Sequence, residues 1–343
     1  MITNKENILI TGGCGFLGQY LTNDLIKEFP NIKVRILDLK PPSCSIFDFS
    51  DNANVEIITG KDICNVEEIE DYFNDIGIII HLAGVISFSL KDKEILEKVN
   101  ITGTRNLLEI AEKYGIKNFI HVSSVAALGY NNDKDNPINE DYKFDWDIAK
   151  KGEKYYMLTK YLGDLEVRNF AEKGLNTVLL RPGLMYGPGD ITNSSRMITA
   201  INNGKIPCNM PGGTNVVDVR DVSKGIIAAM KKGKSGGDYL LSGYNLTFKE
   251  INKTIAKTLD VKPPKWTMPQ FLNYPLFKIV YLLEKSSKKK IELTADNIDS
   301  SFKFRYFDNS KAKNELNWEP EIDFEKTIKD TIDWLVQNDF LEG

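Results

Sequence analysis

Tyr156 and Lys160 stand four residues apart in Tyr156-Met157-Leu158-Thr159-Lys160. On a helix that spacing puts a phenol and an ammonium on one face. A free tyrosine ionises near about 10, and a neighbouring cation lowers that value. Such a pair can exchange a proton with an alcohol oxygen near neutral pH. The same spacing is common by chance and ordinarily marks two surface residues. It gains weight from Ser123-Ser124, which follow an apolar run and therefore fall at the sheet edge where a serine hydroxyl can hold a substrate oxygen. Tyr155 is a competing phenol, but it has no lysine four residues later.

A second segment, Thr11-Gly12-Gly13-Cys14-Gly15-Phe16-Leu17-Gly18, lies at a strand-to-helix junction. Gly12, Gly15 and Gly18 allow the backbone to approach a pyrophosphate, and the N–H groups of a helix start point at the anion. Three glycines alone are weak evidence, because many tight turns contain them. Here a strand precedes, a helix follows, and Asp38 closes the next apolar run, Val34-Arg35-Ile36-Leu37. A carboxylate there accepts from ribose hydroxyls and repels a 2′-phosphate, so NAD is expected over NADP. Asp62, in Gly60-Lys61-Asp62-Ile63, is placed to accept from an adenine amino group or, equally, to cap a helix.

These residues need a scaffold, and the chain supplies an alternating pattern. Strands are expected at Ile8–Thr11, Lys33–Leu37, Val55–Ile58, Ile76–His81, Lys117–Ser123 and Thr177–Arg181. Helices are expected at Phe16–Phe29, Ile95–Tyr114 and Gly152–Glu172. That alternation predicts an α/β protein with a doubly wound parallel sheet of the Rossmann kind, its ligand at the carboxyl ends of the strands. Past Arg181 the chain is punctuated by Pro and Gly, which predicts a smaller C-terminal substrate lobe. Residues 1–182 should form the dinucleotide-binding domain, with 214–243 returning to it, and 183–213 with 244–343 the substrate lobe.

Composition narrows the function. The 343 residues carry a net charge of −4 with acids and bases mixed, so no broad basic field invites nucleic acid. Lys231-Lys232-Gly233-Lys234 and Lys288-Lys289-Lys290 read as solvated faces. Cys14, Cys44, Cys64 and Cys208 are too scattered for a zinc site or a disulfide framework. His81 and His121 each end an apolar run, which suits strand-end packing better than metal binding. The sequence leads into Ile8-Leu9-Ile10 without a basic flank or cleavage site, so a reducing cytoplasm is the expected location. The apolar stretch from Trp266 to Leu283 reads as a wall over a hydrophobic substrate, as packing in the second lobe or a dimer contact, or as a membrane-surface contact with Lys285 and Lys288–Lys290 at the headgroups.

With these segments in order, the chain resembles the extended short-chain dehydrogenase/reductases over nearly its full length. His81-Leu82-Ala83-Gly84, Val99–Leu107, Arg181–Pro188 and Val217–Val222 carry the resemblance further. It implies Ser124, Tyr156 and Lys160 as the catalytic set, with Asn100 in support. It implies that Thr11, Gly12, Gly15, Phe16, Leu17, Gly18, Asp38, Asp62, Ile63, Leu82, Ala83, Gly84, Asn100, Tyr156, Lys160 and Pro182 line the cofactor. It also implies a homodimer built on the helices around Ile95–Tyr114 and Gly152–Glu172. Sugar-nucleotide epimerases of this superfamily carry an arginine where Thr214 stands, and another in the region that here reads Asn297-Ile298-Asp299-Ser300. The 4,6-dehydratases need an acid pair where Val125-Ala126 follow the catalytic hydroxyl. Tyr306–Ala312 and Asn317-Trp318-Glu319-Pro320 instead resemble the branch of 3β-hydroxysteroid dehydrogenases, sterol-4-carboxylate dehydrogenases and dihydroflavonol reductases. The expected activity is NAD-dependent interconversion of a secondary alcohol and a ketone on a mid-sized, largely apolar molecule. An epimerase acting on a sugar or sugar nucleotide is the alternative. The intact Ser124, Tyr156 and Lys160 argue against a third reading, a cofactor sensor without turnover.

Overall fold

The computed structural model describes residues 7–341. Its strands are β1 (Asn7–Thr11), β2 (Val34–Leu37), β3 (Val55–Ile58), β4 (Ile76–His81), β5 (Asn118–Val122), β6 (Asn176–Pro182), β7 (Leu184–Tyr186), β8 (Gly213–Asp218), β9 (Gly237–Leu241), β10 (Tyr244–Thr247) and β11 (Phe304–Arg305). Its α-helices are α1 (Phe16–Glu28), α2 (Val66–Ile69), α3 (Lys93–Glu97), α4 (Thr104–Lys113), α5 (Trp146–Lys151), α6 (Tyr155–Glu172), α7 (Ser194–Asn202), α8 (Val219–Lys232), α9 (Phe248–Thr258), α10 (Asn273–Ser286), α11 (Ala295–Ser301) and α12 (Phe324–Gln337).

Seven strands form one parallel sheet in the order β3-β2-β1-β4-β5-β6-β9. The central strands are apolar almost without interruption because helices cover both faces. Alternate residues of a strand feed opposite faces. Ile8, Ile10, Ile78 and Ile80 pack with Leu21, Leu25, Val222 and Ile226 of α1 and α8. Leu9, Ile79 and Phe119 pack with Leu107, Leu108, Val167 and Phe170 of α4 and α6. The strand order reverses between β1 and β4, which opens a crevice at the carboxyl edge where Thr11, Leu37, His81 and Val122 all end.

A second sheet joins β10, β8 and β11, with β7 beside β8. Ile198 and Ile201 of α7, Ile251 and Ile255 of α9, and Ile328 and Leu335 of α12 share its core with Val216.

Two expected elements differ in detail, and one strand of the large sheet was not foreseen. The helix foreseen over Ile95–Tyr114 is divided: a π-helical turn, Lys98–Gly103, separates α3 from α4. Within it Thr104 Oγ1 donates to the Asn100 carbonyl (2.9 Å), and α6 approaches so closely that a Cβ on Gly163 would lie 2.5 Å from that oxygen. The helix foreseen from Gly152 begins at Tyr155, because Glu153 adopts a left-handed φ of 50° that ends the preceding helical turn. The last strand of the large sheet, β9, lies in a segment the periodicity did not mark as a strand.

Candidate active site

The glycine loop is a bare cradle. Gly12 has φ 72°, and a Cβ there would sit 2.7 Å from the Ala83 nitrogen. A Cβ on Gly18 would lie 2.5 Å from Gly13 Cα, so α1 rests directly on the loop. Around Gly15 a Cβ would meet only the Gly12 carbonyl, at 3.2 Å. No side chain caps the start of α1 and no acid occupies its first turn. The N–H groups at Phe16, Leu17 and Gly18 therefore retain both donor capacity and the positive end of the helix dipole. These features fit a pyrophosphate.

Beside the loop, the Cys14 N–H donates to Asp38 Oδ2 (3.0 Å) and the Lys40 N–H to Oδ1 (3.2 Å). The Asp38 carboxylate is thus held at the carboxyl end of β2, against the first turn of the cradle. Burial, with Asp38 nearby, pushes the Cys14 thiol up to about 12, so it stays protonated and unreactive. Asp62 accepts from the Cys64 N–H (2.9 Å) and pairs with Lys98 (3.3 Å); it caps no helix. Ile63 is buried next to Gly103. Pro182 ends β6 opposite Leu241.

The candidate proton-handling residues meet at the same edge. Tyr156 and Lys160 lie on α6, 7% exposed each, as the four-residue spacing required. The 3₁₀ turn after β5 is capped by Ser124, whose Oγ accepts from the Ala126 N–H (3.1 Å) and which stands close enough to Tyr156 to favour its ionised form. Lys160 Nζ lies 3.8 Å from where a Gly84 Cβ would be, so it abuts the Leu82–Gly84 segment. Asn100 fixes that segment: its amide donates to the Val85 carbonyl (3.0 Å) and its Oδ1 accepts from the Val85 N–H (2.9 Å). Phe88 packs edge-on to Tyr156 at 5.4 Å, giving the phenol an apolar flank.

The electrostatics depart from the simple phenol–ammonium picture. Burial pushes Tyr156 up to about 12, with Ser124 pulling the other way. Burial pushes Lys160 down to about 8, opposed by Asp164 one turn along and assisted by Arg181. Desolvation is the leading cause of both shifts, because both groups sit out of water, and neither member of the pair figures among the causes of the other's shift. His81 is pushed down to about 3 by burial and hydrogen-bonds Thr11 (2.7 Å) and Thr104 (3.0 Å). His121 is likewise driven well below its ordinary range, so both imidazoles are neutral packing groups. Among the described residues no cluster of His, Cys, Asp and Glu could hold a metal ion.

Over this edge lies α10. Tyr281 Oη donates to Glu153 Oε2 (2.5 Å) and Lys285 pairs with it (3.2 Å). Glu284, 2% exposed, accepts from the N–H groups of Leu90 (2.8 Å) and Ala295 (3.1 Å). The end of the apolar segment read at Trp266–Leu283 is therefore tied, through Tyr281, Glu284 and Lys285, to Glu153 three residues before Tyr156 and to Leu90 two residues after Phe88. Leu276, Phe277 and Val280 are half-buried, whereas Tyr274, Ile279, Leu282 and Leu283 are exposed. Among the described residues no helix is long and apolar enough to cross a membrane.

Comparison with known proteins fits this geometry. Residues 9–270 match the model of the 3-beta hydroxysteroid dehydrogenase/isomerase family. The chain belongs to that family. It is an enzyme of the extended short-chain dehydrogenase/reductase type. A putative dihydroflavonol 4-reductase from Synechocystis is 26% identical, over 99% of this chain and 98% of its own. A decarboxylating sterol-4-alpha-carboxylate 3-dehydrogenase from Candida albicans is 26% identical, over 98% and 99%. The crystal structure of a dTDP-glucose 4,6-dehydratase from Bacillus anthracis in complex with NAD superposes with a TM-score of 0.76 at 21% identity, covering 97% of each chain, a likeness of fold.

Where the epimerases carry arginines, this family member differs. Thr214 is buried on β8, and α11 presents Asp296 and Asp299 to Lys154, at 2.5 and 2.9 Å. Arg220, the arginine just past β8, is engaged by Asp218 and Asp330, both at 2.7 Å. Sequence reasoning missed Lys154 and Arg305. Their only sequence signal is position: Lys154 precedes the Tyr155-Tyr156 pair, and Arg305 precedes Tyr306-Phe307-Asp308.

Proposed function

We propose that this enzyme interconverts a secondary alcohol and a ketone on a mid-sized, largely apolar substrate, using NAD. The observation that carries the reading is the convergence of Ser124, Tyr156 and Lys160 beside a glycine cradle with no cap and no acid. NAD, when bound, exchanges hydride with the carbinol carbon. Ser124 Oγ holds the substrate oxygen within reach of the Tyr156 phenol. In reduction Tyr156 gives its proton to that oxygen, a role suited to a phenol that burial keeps protonated. In oxidation the phenol must first give up its proton to solvent, and its oxygen then receives the proton of the alcohol as hydride leaves the carbinol carbon. Lys160, lying against Leu82–Gly84, holds the nicotinamide ribose and supplies positive charge as the phenol loses its proton. Asp38 favours NAD over NADP, since its carboxylate is fixed where a 2′-phosphate would approach.

An apolar substrate body is supported by Phe88 against Tyr156 and by the half-buried side of α10. Its relatives named for sterol and dihydroflavonol substrates point the same way. The epimerase alternative has less support, because neither Thr214 on β8 nor the α11 segment supplies the arginine that serves there in epimerases. The test is turnover, read as NADH absorbance, with a 3β-hydroxysteroid, a flavanonol and UDP-glucose. Oxidation or reduction of either apolar substrate, abolished in Tyr156→Phe, is expected. Conversion of UDP-glucose alone would replace this reading with the epimerase.

A further inference from the structure

Arg305 is a cation without an internal partner. It lies on β11, in register with Thr214 of β8. Its neighbours Phe304 and Tyr306 pack edge-on against each other at 5.5 Å, and a Cβ on Gly213 would lie 2.7 Å from the Tyr306 hydroxyl. Alternation along the strand sends Arg305 the other way, toward Tyr130, Asp296 and Asp299, whose charges act on it. Among the described residues no hydrogen bond or ion pair reaches its guanidinium, and its Nε is sealed from solvent and unsatisfied.

The nearby acids are already engaged. Lys154 bridges Asp296 (2.5 Å) and Asp299 (2.9 Å), Tyr130 Oη donates to Asp299 (3.0 Å), and Lys303 stands 4.0 Å from Asp299. Three cations, Lys154, Lys303 and Arg305, face two carboxylates, so one positive charge is left over. The side chain keeps some accessible surface, yet burial is enough to push it below the ordinary arginine value. Arg305 is thus half-buried, with its Nε dehydrated and unpaired. Proximity to the reaction is set by its surroundings. Lys154 is the residue ahead of α6, two before Tyr156, and Tyr130 lies just past the turn that starts at Ser124. Lys154 also stands over the Tyr130 ring at 5.5 Å.

We infer that Arg305 anchors an oxyanion, a carboxylate or a phosphate ester, carried by the substrate near its reacting alcohol. A planar guanidinium grips either group through paired N–H donors. An unpaired buried cation is costly to keep, and a substrate anion would satisfy it. The inference deepens, and rests on, the alcohol–ketone reading above.

The experiment uses the NAD-loaded enzyme and three steroid 3-alcohols that differ only beside the alcohol, in a carboxylate, a phosphate ester or a hydroxymethyl group. Charge-assisted bonds of this kind correspond to a preference in kcat/KM of about ten- to a hundredfold for an anionic substrate over the neutral one. Arg305→Gln should erase that preference while leaving the neutral substrate within about threefold, and Arg305→Lys should restore part of it. Which anion is preferred identifies the source. Equal turnover of anionic and neutral substrates by the wild type, or an equal loss on all three in Arg305→Gln, overturns the inference. If none of the three turns over, the alcohol–ketone reading falls separately, and the anchor is read from melting temperature. Stabilisation by the anionic steroids that disappears in Arg305→Gln then supports it; equal or absent shifts in both proteins overturn it.

Discussion

At the scale of single residues, burial and charge set the chemistry. Tyr156→Phe removes the proposed proton carrier and leaves the ring in place, so turnover should fall by a factor on the order of 10² to 10⁴ with NAD affinity nearly intact. If Tyr155→Phe gave that loss instead, the phenol assignment would be wrong. Lys160 allows a pH test. Its value near 8 in the folded chain lies below its ordinary 10.5, so between those limits the unfolded chain binds a proton that the folded chain does not. Stability therefore rises with pH across that window. Tyr156 acts in the opposite sense above pH 10, where the folded chain keeps a proton that the unfolded one loses. Between pH 7.5 and 10 the wild type should gain on Lys160→Met by on the order of 2–3 kcal/mol in urea unfolding. A constant difference between the two proteins would show that Lys160 is ordinarily solvated. At Asp38, calorimetry should find NAD bound at least about tenfold more tightly than NADP, and Asp38→Ala should narrow the gap.

At the scale of elements, a few contacts decide whether the site is assembled. α1 meets its loop with no space for a methyl at Gly18. Gly18→Ala should push α1 away from the cradle and weaken NAD binding more than it lowers the melting temperature. α10 hangs on Glu284, which joins it to Leu90 and Ala295. Glu284→Ala leaves two inward-facing amides unsatisfied and should cost about 1–3 kcal/mol of local stability. Hydrogen exchange should show this as lost protection at Leu90 and Ala295, with KM rising more than kcat falls. Unchanged protection at both amides would remove α10 from any role in covering the site.

At the scale of the molecule, one buried network ties the sheet to the catalytic helix. Arg181 of β6 is fully buried and binds Asp164 of α6 (2.8 Å) and Asp238 of β9, which Arg168 of α6 also contacts (2.8 Å). Asp164 stands one turn from Lys160, so the network sets the field at the active site as well as the docking of α6. Arg181→Leu strips Asp164 and Asp238 of their shared partner and should destabilise the protein by about 3–5 kcal/mol. A loss under about 1 kcal/mol in denaturant unfolding would mean that water or Arg168 compensates.

Local pattern alone determined much of this protein. Uninterrupted apolar runs dictated parallel strands, and parallel strands brought the ends of β1, β2, β4 and β5 to one edge. The four-residue spacing of Tyr156 and Lys160 and the glycines after β1 were therefore readable as a candidate proton-handling pair and a candidate cradle without coordinates, because each depends on contacts a few residues apart. Long-range packing decided the rest. The break at Glu153, the π turn that aims Asn100 at Val85, and the entry of β9 beside β6 answer to neighbours distant in sequence. The acidities of Tyr156 and Lys160 follow from how much protein surrounds them, which spacing does not encode. Arg305 is the clearest case. In the sequence it is one cation among 44, and only the pairing of β11 with β8, and the prior claim of Lys154 on Asp296 and Asp299, leave it without a partner among the described residues.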